Sequence, residues 1–172
     1  MGYTLEQLAS DIRETLTAKS AGEARGELVA LVEKALTDES FLDANVRTGQ
    51  TEPRRVIYED PELGFCICAH TYGDAAHSAP HDHGSSWAIY GQAEGETEMT
   101  DWRIVKPVEG DEPALVAPEK SYALSPGDAY FYDVGAVHSP RREGPTKLIR
   151  IEGKNLDTVQ RTPMKPAESA AA

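Results

Sequence analysis

Apolar positions recur at helical spacing only near the start of the chain. Leu5, Leu8, Ile12 and Leu16 fall on one stripe. Thr4-Leu5-Glu6-Gln7 fits a capping box, with Thr4 as N-cap and Gln7 reaching back to it. After a polar break from Lys19 to Gly26, Leu28, Leu31, Val32 and Leu36 mark a second helix. The pattern predicts a helical pair within residues 4–40, packed on the outside of the main body. From about Arg54 the texture changes to short β-rich runs punctuated by turn residues. Strands are expected at 55–58, 65–72, 86–92, 96–105, 121–124, 129–132 and 147–151, with Asp60-Pro61-Glu62-Leu63-Gly64 as a turn. Many short strands at this spacing indicate a β-sandwich or barrel over residues 54–156. A single domain over 1–160 follows from the length. The tail, 161–172, is small, polar and Pro-containing, and is expected to be disordered.

Charge narrows the partners. The chain has 172 residues, with 17 Lys plus Arg against 29 Asp plus Glu, a formal net charge of −12. Nucleic acid and anionic membranes both need a basic footprint, so neither is an expected partner. Met1-Gly2-Tyr3-Thr4-Leu5-Glu6 lacks the basic start of a signal peptide, and no apolar run approaches the roughly 18 residues of a membrane span. A cytoplasmic location is therefore expected. Cys66 and Cys68 lie two apart on one strand, poorly placed to bridge, and read as free core thiols. Nothing in the sequence specifies an oligomeric state.

The histidines change the picture. His81 and His83, in Pro80-His81-Asp82-His83-Gly84, occupy positions i and i+2, which share a face in a strand. His138 answers them from Asp133-Val134-Gly135-Ala136-Val137-His138. A neighbouring strand carrying His138 would complete a three-nitrogen face with open coordination positions, the mark of a catalytic rather than a structural site. Three imidazoles suit Fe, Cu, Zn or Ni.

Both motifs resemble those of the cupin superfamily, which folds as a double-stranded β-helix. Its first motif has His-x-His, then a glutamate, then glycine. Here Trp87 and Ala88 stand where the glutamate would be, so the carboxylate ligand is missing. Its second motif is matched by Gly127, then Asp133-Val134-Gly135 and His138, with Asp133 replacing a proline. A three-histidine cupin with leading helices resembles the cysteine dioxygenase (thiol dioxygenase) family. Most of the chain takes part in that resemblance, from the helices to about Leu156.

The resemblance implies Fe(II) on His81, His83 and His138, with Zn, Ni, Mn or Cu as the other candidate ions. It places Arg55 where an arginine holds the substrate carboxylate, and His70 and Tyr72 where side chains line the pocket. The family's Ser-x-His-x-Tyr relay is replaced here by Leu148, Arg150 and Glu152 in Leu148-Ile149-Arg150-Ile151-Glu152. Arg150 and Glu152 share a strand face, so they either satisfy each other or set substrate choice and catalysis. Tyr130 and Tyr132 are further proton-transfer candidates, and Trp87 is either core or pocket wall. The implied function is an iron-dependent oxygenase that takes O2 and a small carboxylate-bearing substrate, a thiol by resemblance. The alternative is a non-redox cupin lyase or isomerase, with Glu152 or a tyrosine as base beside a Lewis-acidic metal.

Overall fold

The computed structural model describes residues 2–168. Three helices lead: α1 (Leu5–Ala18), α2 (Arg25–Leu36) and α3 (Glu39–Asn45). The expected capping box opens α1: Thr4 Oγ1 accepts from the Gln7 N–H at 3.1 Å, and Gln7 Oε1 accepts from the Thr4 N–H at 2.9 Å. α3 extends the helical segment beyond the expected pair. Its N-cap is Asp38, whose carboxylate accepts from the Phe41 N–H at 3.0 Å.

Ten strands follow among the described residues: β1 (Arg54–Glu59), β2 (Cys66–Tyr72), β3 (Ala76–His77), β4 (Ala88–Glu94), β5 (Thr97–Lys106), β6 (Ala114–Leu124), β7 (Ala129–Tyr132), β8 (Val137–Arg142), β9 (Thr146–Glu152) and β10 (Met164–Pro166). They form two five-stranded sheets, ordered β1-β2-β9-β4-β7 and β10-β6-β5-β8-β3. From β2 to β9 the chain passes back and forth between the sheets, and only β5 and β6 are consecutive within one. Most neighbours are therefore distant in sequence, as in the double-stranded β-helix of cupins. The fold class is as expected, mostly β with helices leading.

The first sheet divides its chemistry between its two faces. Residues on one side, Ile67, Ala69, Ile89, Phe131, Ile149 and Ile151, pack with Leu8, Ile12, Leu28, Val32 and Leu36 of the helices. The alternate residues, His70, Tyr72, Tyr90, Arg150 and Glu152, face the second sheet. The largest apolar cluster thus lies outside the barrel, between sheet and helices, and the interior is left to polar groups. Only a small apolar cluster, Ala88, Tyr90, Met99, Leu124 and Tyr132, occupies the inside.

The tail departs from expectation. Residues 164–166 run parallel to β6, with Met164 opposite Ala114 and Pro166 opposite Val116. The Ala114 N–H donates to the Pro163 carbonyl at 3.0 Å, and the Ala167 N–H to the Val116 carbonyl at 2.8 Å. An edge strand tolerates Pro166, because its outward side needs no ladder donor. Small polar composition suggested disorder, but backbone pairing to a sheet edge does not depend on side chains. The remainder of that tail, residues 169–172, lies outside the described residues.

Candidate metal centre

Backbone pairing brings His81 to His138. The N–H of each donates to the carbonyl of the other at 3.0 Å, a one-residue antiparallel bridge between the chain before β4 and β8. Directly opposed residues present their side chains on one face. His83 follows by a turn rather than by the expected strand. Asp82 Oδ1 accepts from the Gly84 N–H at 3.0 Å, Gly84 has φ of 56°, and the Ser86 N–H donates to the His83 carbonyl at 3.0 Å. A Cβ on residue 84 would lie 2.3 Å from the Gln160 carbonyl oxygen, so glycine is required there twice over. Asp82 Oδ1 also accepts from the Thr162 N–H at 3.0 Å, which ties the C-terminal segment to the histidine loop.

The three rings form a near-equilateral triangle, with centroids 5.3 Å apart for His81–His83 and 4.8 Å for each of the other pairs. One nitrogen from each lies within 4.8 Å of the others, a cluster that can hold a metal ion. Burial lowers the pKa of all three, that of His83 to about 3, with the Arg150 charge adding to the effect at His83. All three are therefore neutral imidazoles, the form that ligates metals. His81 Nδ1 lies 2.9 Å from the Ala79 carbonyl and donates to it, which leaves Nε2 with a free lone pair. His83 Nδ1 and His138 Nδ1 are buried without a hydrogen-bond partner among the described residues. Converging neutral imidazoles with spare lone pairs fit a metal, and among the described residues no carboxylate joins them.

Tyr90 completes the site and was not foreseen. Its hydroxyl lies 3.2 Å from His83 Nε2 and 3.3 Å from His138 Nε2. A signal was present: Tyr90 stands two residues beyond Ala88, the position of the missing glutamate, and therefore on the same strand face. Tyr132 stacks against His138 with centroids 4.3 Å apart, and its hydroxyl bonds Tyr122 at 2.6 Å. The Tyr122 hydroxyl in turn donates to Asp101 at 2.8 Å. Tyr130 stacks on Tyr122 and touches Tyr132 at the edge of this group. Trp87 faces away, stacked on Phe131 in the helix-side core.

Arg150 and Glu152 satisfy each other. Arg150 Nη2 lies 2.7 Å from Glu152 Oε2 and its Nε donates to the same oxygen at 2.9 Å. Glu152 Oε1 accepts from Arg54 Nη2 at 2.7 Å and from the Leu156 N–H at 3.0 Å. Burial pushes this carboxyl up, but the Arg54 hydrogen bonds and the Arg150 charge outweigh it, and the pKa ends below the usual value. A carboxylate with its acceptor sites filled and its proton affinity lowered is a poor base. The structure thus places Glu152 as the shared anion of Arg54 and Arg150.

Arg55 is also corrected. It is exposed, and its Nε donates to Gln50 Oε1 at 3.1 Å on the outer side of β1. The inward member of the pair is Arg54, opposite His70 in the β1–β2 register. His70 and Tyr72 do line the interior, joined by a 2.9 Å contact between His70 Nδ1 and the Tyr72 hydroxyl. Burial first, then the charges of Arg150, Arg54 and Arg142, keeps His70 neutral.

The sequence matches no protein-family model and no curated protein. Solved structures of similar fold include KdgF from Halomonas sp., at 20% identity and TM-score 0.44 over 60% of this chain and 81% of that one. A cupin-2 domain protein from Shewanella frigidimarina gives 16% identity and TM-score 0.43 over 60% and 81%. A double-stranded β-helix protein from Klebsiella pneumoniae gives 18% identity and TM-score 0.47 over 72% and 88%. These neighbours are cupin-2 and double-stranded β-helix proteins. Likeness at this level carries no argument about this chain, and does not carry the finer resemblance to thiol dioxygenases. No helix among the described residues is long and apolar enough to cross a membrane.

Proposed function

We propose that this protein is a metal-dependent cupin oxygenase, which uses O2 to oxidise a small carboxylate-bearing substrate, a thiol in the first instance. The observation that carries this reading is the triangle of buried neutral imidazoles with no carboxylate among them. Fe(II) held by His81, His83 and His138 would supply the electrons that activate O2 beside the substrate. The balanced conversion is R–SH plus O2 to R–SO2H. This chain's own residues orient and exclude. The Arg54–Glu152–Arg150 group fixes one wall, Tyr90 sets a hydroxyl against two of the ligand nitrogens, and burial keeps bulk water from the histidines.

Oxygen consumption by iron-loaded protein tests the reading against cysteine, 3-mercaptopropionate and other small thiols. Uptake matched by sulfinate formation is the expected result, and no uptake with any of them retires thiol oxidation. One observation favours a second reading, a non-redox lyase or isomerase. The Tyr90 hydroxyl is placed to exchange a proton with a metal-bound carbonyl compound, a role Glu152 cannot fill. Turnover with zinc or manganese in the absence of O2 would select it.

A further inference from the structure

Among the described residues, one buried positive charge between the sheets has no carboxylate partner. Arg54 and Arg150 share Glu152, and Arg54 also reaches Asp157 at 2.7 Å. Arg142 on β8 is just as enclosed, at 5% exposure, yet among the described residues it has no carboxylate partner. Its Nε is buried without any hydrogen bond. A guanidinium whose Nε is sealed from water with no carboxylate beside it is costly to retain, and a bound anion would answer it. Burial lowers its pKa in consequence, offset in part by Tyr72 and Tyr90.

Position gives this charge a use. Arg142 lies four residues after His138 on the same strand face, about 13 Å along the backbone. Its guanidinium carbon sits 4.4 Å from the centroid of the Tyr72 ring. The Tyr72 hydroxyl meets His70 Nδ1 at 2.9 Å, and His70 Nε2 is buried with no partner of its own. When the tyrosine donates to Nδ1, the neutral ring carries its proton on Nε2, a second unfilled donor. Two unpartnered nitrogens, one on a charged group, thus flank a single tyrosine between the sheets.

We propose that Arg142, assisted by the Nε2–H of His70, receives the carboxylate of a small substrate whose other end reaches His81, His83 and His138. This deepens the reading of the site as an enzyme centre, but the anion receptor needs neither iron nor turnover.

Binding of propionate and 3-mercaptopropionate, by calorimetry, is to be compared for the wild type, Arg142→Met and Arg55→Gln, both metal-free and loaded with redox-inert zinc. The wild type binds both carboxylates, and propionamide at least tenfold more weakly. Arg142→Met loses about tenfold or more in affinity, as removal of a charge-assisted pair does. Arg55→Gln stays within about twofold. Arg142→Met melts no lower than the wild type, because the unpaired charge is gone. If it does not fold, Arg142→Lys takes its place, with the charge kept, the fork lost and affinity lowered. Equal binding by Arg142→Met, propionamide binding as tightly as propionate, or no carboxylate binding in either metal state overturns the proposal. Absence of O2 uptake would count against the oxygenase alone and leave the receptor standing.

Discussion

Glu152 is fully buried between two guanidiniums, and the consequences follow from that one carboxylate. Its replacement by glutamine leaves Arg54 and Arg150 without their shared anion in a closed interior. Such breakage costs about 3–5 kcal/mol, which urea unfolding at neutral pH should show for Glu152→Gln. The pH dependence has a definite sign. The folded-state pKa lies below the ordinary 4.5, so the stabilisation is complete above that value and fades as pH falls beneath it. The gap between wild type and variant should therefore narrow as pH falls below 4.5, and a gap that stays constant refutes the ion-pair account. Single residues also mark where sequence reading reaches its limit. A substrate arginine was expected at Arg55, and Arg54 is the inward one. A one-residue shift in register sends every side chain of a strand to its opposite face, and local sequence does not fix register at an edge. The three histidines were found by motif spacing, although only His81 pairs with His138 and His83 arrives by a turn rather than by a shared strand face.

At the scale of elements, the helices matter for the site because they relieve the barrel of its core. Gly91 on β4 is what lets α2 come close. A Cβ there would lie 2.7 Å from Val32 Cγ1 and 3.1 Å from the Ile149 carbonyl oxygen. Val32 can shift, but the backbone carbonyl of the paired strand cannot. Gly91→Ala should cost about 1–3 kcal/mol in denaturant unfolding, and an unchanged midpoint would mean that α2 does not rest on this strand as described. The two longer helices were legible because each carries several turns of apolar periodicity, while α3, seven residues long, offers too little to register a period. β8 was foreseen only as the bearer of His138. Its Val-His-Ser-Pro-Arg-Arg run does not read as a strand, and Pro140 is accommodated opposite Met99. β10 was read as disorder for the same reason: its pairing is backbone chemistry that composition does not record.

For the whole molecule, the division between an apolar layer under the helices and a polar interior between the sheets accounts for what sequence could and could not disclose. Motif spacing revealed the fold and the three imidazoles, since those depend on turn residues such as Gly84 and on the pairing of His81 with His138. The ion-pair network joins β1, β9 and Asp157, with partners up to 103 residues apart, and no local pattern announces it. The same arrangement sets the final expectation. Three neutral imidazoles held by a bridge and a turn are largely preformed, so metal should bind the folded chain and stabilise it by mass action. At a free metal concentration about 100 times Kd the gain is about 2.7 kcal/mol, a rise in Tm of roughly 5–10 °C for a chain of this size. Differential scanning calorimetry with Fe(II) under anaerobic conditions, and with Zn(II), provides the measurement. His138→Ala should remove the shift with either ion, because two nitrogens cannot close the face, whereas His77→Ala, on the exposed strand β3, should keep it in full. A shift that survives the loss of His138 would place the metal elsewhere and detach the chemistry from the barrel.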